Sequence, residues 1–183
     1  MIDSAAVASL VRAFSDPLDG PAAKSQELIL LLLQHSPAPF FRHTYNPGHI
    51  TCSGLVLSPD SKRLLLVHHR RLDRWLLPGG LVEPDDPDMR FAARREVIEE
   101  TGAVLAPDPP LDSLIGMDVH GIPPHGSQPY HLHHDLMFAF SAVSEDLRVS
   151  EECRDVLWCA PAAFDSYRIP GNIRRAWARV QAY

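Results

Sequence analysis

Cysteine is scarce in this chain: Cys52, Cys153 and Cys159 are the only three among 183 residues. An odd, scattered set cannot form a disulfide framework, and a reducing compartment is expected. Long apolar runs are missing too. The longest, Leu28 to Leu33, falls far short of the roughly 20 residues a spanning helix needs, so no membrane partner is expected. Met1 to Ala13 carries Asp3 ahead of its apolar residues and has no basic leader, which does not read as a secretory signal. The expected location is cytoplasmic. Positive charge is in deficit: 17 Lys and Arg against 23 Asp and Glu give a formal net charge of −6. This argues against nucleic acid as a partner, because backbone binding needs clustered basic residues. Internal repeats are absent, as is a regular βαβ rhythm, so a mixed sheet is expected rather than a doubly wound one.

What is present begins with two helices. Ala6, Val7, Leu10, Val11 and Phe14 recur at helical spacing after Asp3 or Ser4 as N-cap. A turn follows at Asp16 to Pro21, then a helix from about Ala22 to Gln34, ended by Ser36-Pro37-Ala38-Pro39. Residues 1–40 are expected to form an N-terminal helical extension, serving as a dimer interface or a lid, with residues 41–183 as the main domain. Ile50 to Leu57 and Arg63 to His69 read as a hairpin around Ser58-Pro59-Asp60-Ser61. Trp75-Leu76-Leu77 leads into Pro78-Gly79-Gly80, a break with two residues free to take positive φ. Asp88 to Thr101 is a strong helix closed by Gly102, with Phe91, Ala92 and Ile98 as its docking face. Asp112 to His120, Tyr130 to Val143 and Val156 to Cys159 read as strands, and Asn172 to Ala182 as a last amphipathic helix.

The stretch that carries chemistry is Arg95-Glu96-Val97-Ile98-Glu99-Glu100-Thr101-Gly102. Glu96, Glu99 and Glu100 stand at i, i+3 and i+4 and share one helix face. Three carboxylates there repel one another, and two lie near the helix C-terminus, where the dipole disfavours anions. A hard divalent cation resolves the conflict: Mg²⁺ or Mn²⁺ takes oxygen ligands and keeps waters that a phosphate can displace. The Gly79-Gly80 loop lets backbone carbonyls approach such an ion. Arg95 can brace a carboxylate in a fixed rotamer.

These residues resemble the Nudix box, G-x5-E-x7-R-E-U-x-E-E-x-G-U with U a bulky apolar residue. Gly80 opens it and Arg95 to Gly102 close it; Trp75, Pro78-Gly79-Gly80, Glu83 and Ala92-Ala93 also look like the Nudix hydrolase family. The box covers about 23 residues, and the flanking strands extend the resemblance to roughly 48–165. Two features depart from it. The spacing from Gly80 to Arg95 is one residue longer, with Asp86 standing in for the early glutamate, and the final apolar residue is the small Ala103.

The resemblance implies an α/β fold, an α/β/α sandwich around a mixed β-sheet. It implies divalent-metal-dependent hydrolysis of a nucleoside diphosphate linked to another group, a small-molecule phosphoanhydride. The metal ligands would be Glu96, Glu99, Glu100 and the Gly80 carbonyl. The general base stays open between a helix glutamate and Glu151 or Glu152. Nothing resembles the accessory patterns for coenzyme A, dinucleoside polyphosphates or ADP-ribose.

Ten histidines is a high count for this length. On a strand, His131, His133 and Asp135 point to one face and His134 to the other. Such a face suits a transition metal, a substrate phosphate or base, or a hydrogen-bonded polar surface. His120 and His125 are placed to line the same pocket, and at most one of His68 and His69 can share a site. Arg70, with Arg71 and Arg74, forms a local basic patch suited to steering phosphate or to a solvated turn. Trp158, Trp177 and Tyr183 are candidates for stacking on a base or for packing. A rival within the fold is isopentenyl-diphosphate isomerase, which His49-Ile50-Thr51-Cys52-Ser53 resembles. The cysteine and histidine that enzyme needs are replaced by Gly79 and Leu81. A non-catalytic ligand-sensing module is the remaining alternative.

Overall fold

Three aspartates start three of the helices in the computed structural model, which describes residues 2–16, 19–111 and 114–182. Asp3 caps α1 (Ser4–Ala13) by accepting from Ala5 N, and Asp19 caps α2 (Gly20–His35) by accepting from Ala22 N. Asp88 caps α3 (Met89–Thr101) through Phe91 N at 2.8 Å. Each carboxylate satisfies an amide that the first helical turn leaves unpaired. Gly102 ends α3 in the left-handed region, φ 63°, where a side chain would be strained. The turn expected at Asp16 to Pro21 has its centre, Pro17 and Leu18, outside the described residues, as do Asp112, Ser113 and Tyr183.

The strands are β1 (Gly48–Leu57), β2 (Leu64–His69), β3 (Arg74–Leu76), β4 (Gly79–Leu81), β5 (Leu114–Ile122), β6 (His131–Ser141) and β7 (Cys153–Cys159); α4 (Gly171–Gln181) closes the chain. They form one seven-stranded sheet with the path β3-β2-β1-β6-β5, while β4 pairs with β1 and β7 with β2. β1 and β6 run parallel over ten registered residues, and the other pairings are antiparallel. The sheet is therefore mixed, as expected.

Alternation along β1 and β6 divides the apolar residues between two faces. Ile50, Cys52, Leu136, Phe138 and Phe140 pack with Val11, Ile29, Leu32 and Val97 of α1, α2 and α3. Leu55, Leu57, Met137 and Ala139 pack with Ile173, Ala176 and Trp177 of α4. Helices thus cover both faces, giving the α/β/α sandwich, and each fully buried aliphatic side chain contributes about 1.5–3 kcal/mol. Arg179 of α4 donates to Asp16 and Asp19, tying the last helix to the α1–α2 connection.

Two local expectations are corrected. Phe91 and Ile98 do not dock α3; they stay 48% and 41% exposed. The docking stripe is Met89, Ala92, Ala93 and Val97, all buried. Small alanines let the helix lie close to the sheet, and residues 91 and 98 repeat on the far side. Gly79 and Gly80 also do not take positive φ. They form the strand β4, registered against Ser53 and Cys52. Close approach is what demands glycine here: a Cβ on Gly79 would stand 2.4 Å from Cys52 O, and one on Gly80 2.7 Å from Glu96 Oε2.

Candidate active site

The first residues of β1 and β6 break the apolar alternation on the α4 face. His49, Thr51 and Ser53 project there from β1, beside His131, His133 and Asp135 of β6. The parallel register places His49 opposite His133 and Thr51 opposite Asp135. These polar ends form one wall of a cleft of about 500 Å³, and Gly79, Gly80, Glu96, Glu99, Glu100 and Glu152 belong to the other.

Two of the three helix glutamates are held by a single arginine. Arg95 forks onto Asp86 through Nε to Oδ1 at 3.0 Å and Nη2 to Oδ2 at 2.9 Å. Its Nη2 also donates to Leu81 O, while Nη1 bridges Glu96 Oε1 at 2.9 Å and Glu99 Oε2 at 3.0 Å. Asp86, only 2% exposed, accepts in addition from Glu83 N at 2.7 Å. Burial alone would raise the Asp86 pKa; the Arg95 fork and the Glu83 amide overcome it and hold the carboxyl below its ordinary range. Asp86 thus anchors the arginine that braces the helix glutamates.

The three glutamates differ in depth. Glu100 is buried and accepts from Gly79 N at 2.9 Å, Glu96 is mostly buried, and Glu99 stands 58% exposed at the rim. Burial, with Glu96 and Glu152 nearby, pushes Glu100 up to about 7 against the pull of the Gly79 amide. Burial raises Glu96 too, despite Arg95. Clustered carboxylates that resist ionising beside a close-packed glycine strand are a hard-cation donor set. The residues fit Mg²⁺ or Mn²⁺.

On the opposite wall, Asp135 accepts from Thr51 Oγ1 at 2.9 Å and Ser53 Oγ at 2.8 Å, and burial raises it to about 6. Burial and the neighbouring imidazoles of His49, His120 and His131 lower His133 to about 2. His134 lies buried on the other face, as alternation requires. His120 sits on β5 opposite His133 and joins the cleft, whereas His125 belongs to a turn bridged to Gln128. His69 lines the cleft and His68 stacks on Trp75.

Arg70 is not where the sequence places it. Its guanidinium donates to Glu151 O and Cys153 O, away from the cleft, and fastens the segment that carries Glu152. Arg71 lines the cleft instead, held by Gln128 and Pro123. Of the two loop candidates for the base, Glu152 lines the cleft and Glu151 does not, and the helix glutamates line it too. Trp177 is a core residue, and Trp158 donates to Glu145 O. In the sequence, His49, Thr51 and Ser53 stand out only through the isomerase resemblance; their signal as site residues is a period of two that matches His131, His133 and Asp135.

Comparison with known proteins agrees with this fold. The family model described as NUDIX domain matches residues 48–178. A Bacillus subtilis (strain 168) protein named "Putative 8-oxo-dGTP diphosphatase" is 26% identical over 121 residues, covering 66% of this chain and 73% of the relative. A NUDIX hydrolase from Nitrosomonas europaea superposes with a TM-score of 0.53 at 18% identity, over 73% of this chain and 88% of its own. A C. elegans Ap4A hydrolase does so with a TM-score of 0.50 at 16% identity, over 73% and 95%. The match spans β1 through most of α4 and includes the helix and strand that supply Gly79, Gly80, Glu96, Glu99 and Glu100, so the chain belongs to the NUDIX domain family.

Proposed function

We propose that the chain hydrolyses a nucleoside diphosphate linked to a second group, by attack of water at one phosphorus of the anhydride. The observation that carries this is the wall of Glu96, Glu99 and Glu100, braced by Arg95 and backed by Gly79 and Gly80. An acidic protein needs a cation to accept so anionic a substrate. Mg²⁺ or Mn²⁺ held by Glu96, Glu99, Glu100 and the Gly80 carbonyl would polarise a phosphate oxygen.

The chain's own groups supply positioning. Arg95 fixes the rotamers of Glu96 and Glu99, and Asp86 fixes Arg95. Glu100 is held by the Gly79 amide. Glu152 is the group we assign to take the proton of the attacking water as the new P–O bond forms and the bridging P–O bond breaks. The leaving phosphate carries away the bridging oxygen. Arg71, and the face of His131, His133 and Asp135, stand across the cleft where the rest of the substrate would lie.

The isomerase alternative needs a thiol facing its substrate, and Cys52, Cys153 and Cys159 are all buried. The sensor alternative has no use for an intact carboxylate set.

The test is product release from a panel of ADP-ribose, Ap4A, 8-oxo-dGTP and nucleoside diphosphate sugars, with Mg²⁺ and with Mn²⁺. The two relatives' names motivate the second and third compounds. Turnover of at least one compound, abolished in Glu100→Gln with an unchanged circular dichroism spectrum, is expected. Wild-type activity in that variant would overturn the metal assignment. No turnover of any compound, with Mg²⁺ binding demonstrated by thermal shift, would overturn the hydrolase reading in favour of a sensor.

A further inference from the structure

The histidine wall has a property that hydrolysis at the carboxylates does not use. His49, His131 and His133 each present one ring nitrogen, and the three nitrogens lie within 4.8 Å of one another. The ring centroids are 4.9–5.2 Å apart in all three pairs. Two of the rings are already committed to one tautomer. His49 Nδ1 lies 3.2 Å from Thr44 O, and His131 Nδ1 lies 2.8 Å from Pro129 O. A carbonyl only accepts, so each Nδ1 carries the proton and each Nε2 carries a lone pair. His49 is 2% exposed, and its buried Nε2 has no hydrogen-bond partner.

Such an arrangement is poor as a surface for its own sake. Three imidazole nitrogens gathered in one place have no cation or donor among them to share, and a buried unpaired acceptor such as His49 Nε2 costs about 1–3 kcal/mol. A cation at their centre meets both needs. The backbone carbonyls on the far side of two rings are the outer partners that metal-bound imidazoles use to fix their orientation. Nitrogens about 2.1 Å from a tetrahedral ion stand roughly 3.4 Å apart, so closing this site requires side-chain shifts of about an ångström.

We infer that His49, His131 and His133 form a binding site for one transition-metal dication of the zinc class, separate from the carboxylate site of α3. Neutral imidazoles select Zn²⁺, Co²⁺ or Ni²⁺ over Mg²⁺, which takes oxygen ligands. Three protein ligands at a wall open to the cleft leave a fourth position for water or an oxygen of a bound molecule, the pattern of catalytic rather than closed structural zinc sites. The two walls then hold different metals on opposite sides of one substrate-sized space. This inference stands whether or not the carboxylate wall hydrolyses the substrates named above.

The experiment is calorimetric titration of the full chain with Zn²⁺ in saturating Mg²⁺, which occupies the oxygen site. One equivalent is expected to bind, and His133→Asn is expected to weaken it by more than about 100-fold, beyond what loss of an outer partner produces. Glu99→Gln should leave it unchanged. Absence of Zn²⁺ binding under saturating Mg²⁺ would overturn the proposal, as would loss of binding in Glu99→Gln with retention in His133→Asn. Should His133→Asn fail to fold, wild-type protein loaded with Co²⁺ decides. Intense tetrahedral d–d absorption is expected, and the weak spectrum of an octahedral oxygen site would sink the assignment.

Discussion

The two walls of the cleft solve the same problem with opposite means. The α3 wall gathers carboxylate oxygens, holding Glu96 and Glu99 with one cation, Arg95, itself locked by Asp86, and Glu100 with the Gly79 amide. The β1–β6 wall gathers neutral nitrogens and orients two of them with backbone carbonyls. In the first, burial raises the carboxyl pKa and works against the charged ligand form. In the second, burial lowers His49 and His133 and favours the neutral form that binds metal. Desolvation therefore opposes the metal-free ionised state on one side and assists the ligand state on the other.

The sharpest way to separate the walls is Glu100→Gln. Glutamine keeps an acceptor for the Gly79 amide but removes the charge. Turnover should fall at least about 1000-fold, ~4 kcal/mol of transition-state stabilisation, with the histidine wall untouched. Steady-state kinetics beside a Zn²⁺ titration checks both halves.

Asp86→Ala strikes the brace. Removing the 2% exposed partner of Arg95 should destabilise the fold by about 3 kcal/mol, read from the midpoint of urea unfolding. An effect below ~1 kcal/mol would mean that Glu96, Glu99 and Leu81 O suffice to hold the guanidinium.

Gly80→Ala probes the close approach of β4. The added methyl meets the Glu96 carboxylate, and a shift of about an ångström there should lower kcat about 100-fold while stability changes little.

The metal-free protein should show the strain of the carboxylate wall as a pH dependence. The folded state keeps a proton on Glu100 that the unfolded chain releases above its ordinary 4.5, up to the folded value of about 7. The contribution is present at low pH and lost as pH rises across that window. Glu100→Gln should accordingly stabilise metal-free protein by about 2 kcal/mol at pH 8 and by little at pH 4.5. Added Mg²⁺ should raise the wild-type Tm more at pH 8 than at pH 5.5, because protons compete for the ligand.

The smallest expected effect is Arg70→Ala, which frees the Glu152 segment from two carbonyl anchors. A loss of about 1 kcal/mol in stability and a few-fold drop in kcat are expected, with KM unchanged. A large rise in KM instead would return Arg70 to the substrate.

Legibility followed chain distance. The carboxylate wall was readable because Glu96, Glu99 and Glu100 lie within five residues, and a helix has only one way to place i, i+3 and i+4. Asp86 was readable as a substitute because it falls near the expected offset; that it forks onto Arg95 was not. On the docking stripe the sequence points rightly to Ala92 and wrongly to Phe91 and Ile98, whereas close packing on the sheet selects Met89, Ala92, Ala93 and Val97. Gly79 and Gly80 looked like a flexible break because glycine signals both freedom and close approach, and only the neighbouring strand tells them apart.

The sequence by itself determined the four helices, the longer strands, the caps Asp3 and Gly102 and the shared carboxylate face of α3, since each follows from rules acting over a few residues. Tertiary structure alone decided that His49 would meet His131 and His133, that Arg71 and not Arg70 would face the cleft, and that Glu152 would join Glu96 and Glu100. The histidine meeting depends on the parallel pairing of β1 with β6, strands more than 70 residues apart in the chain, and the placing of Glu152 depends on the antiparallel pairing of β2 with β7; no local preference of any of these strands specifies its partner.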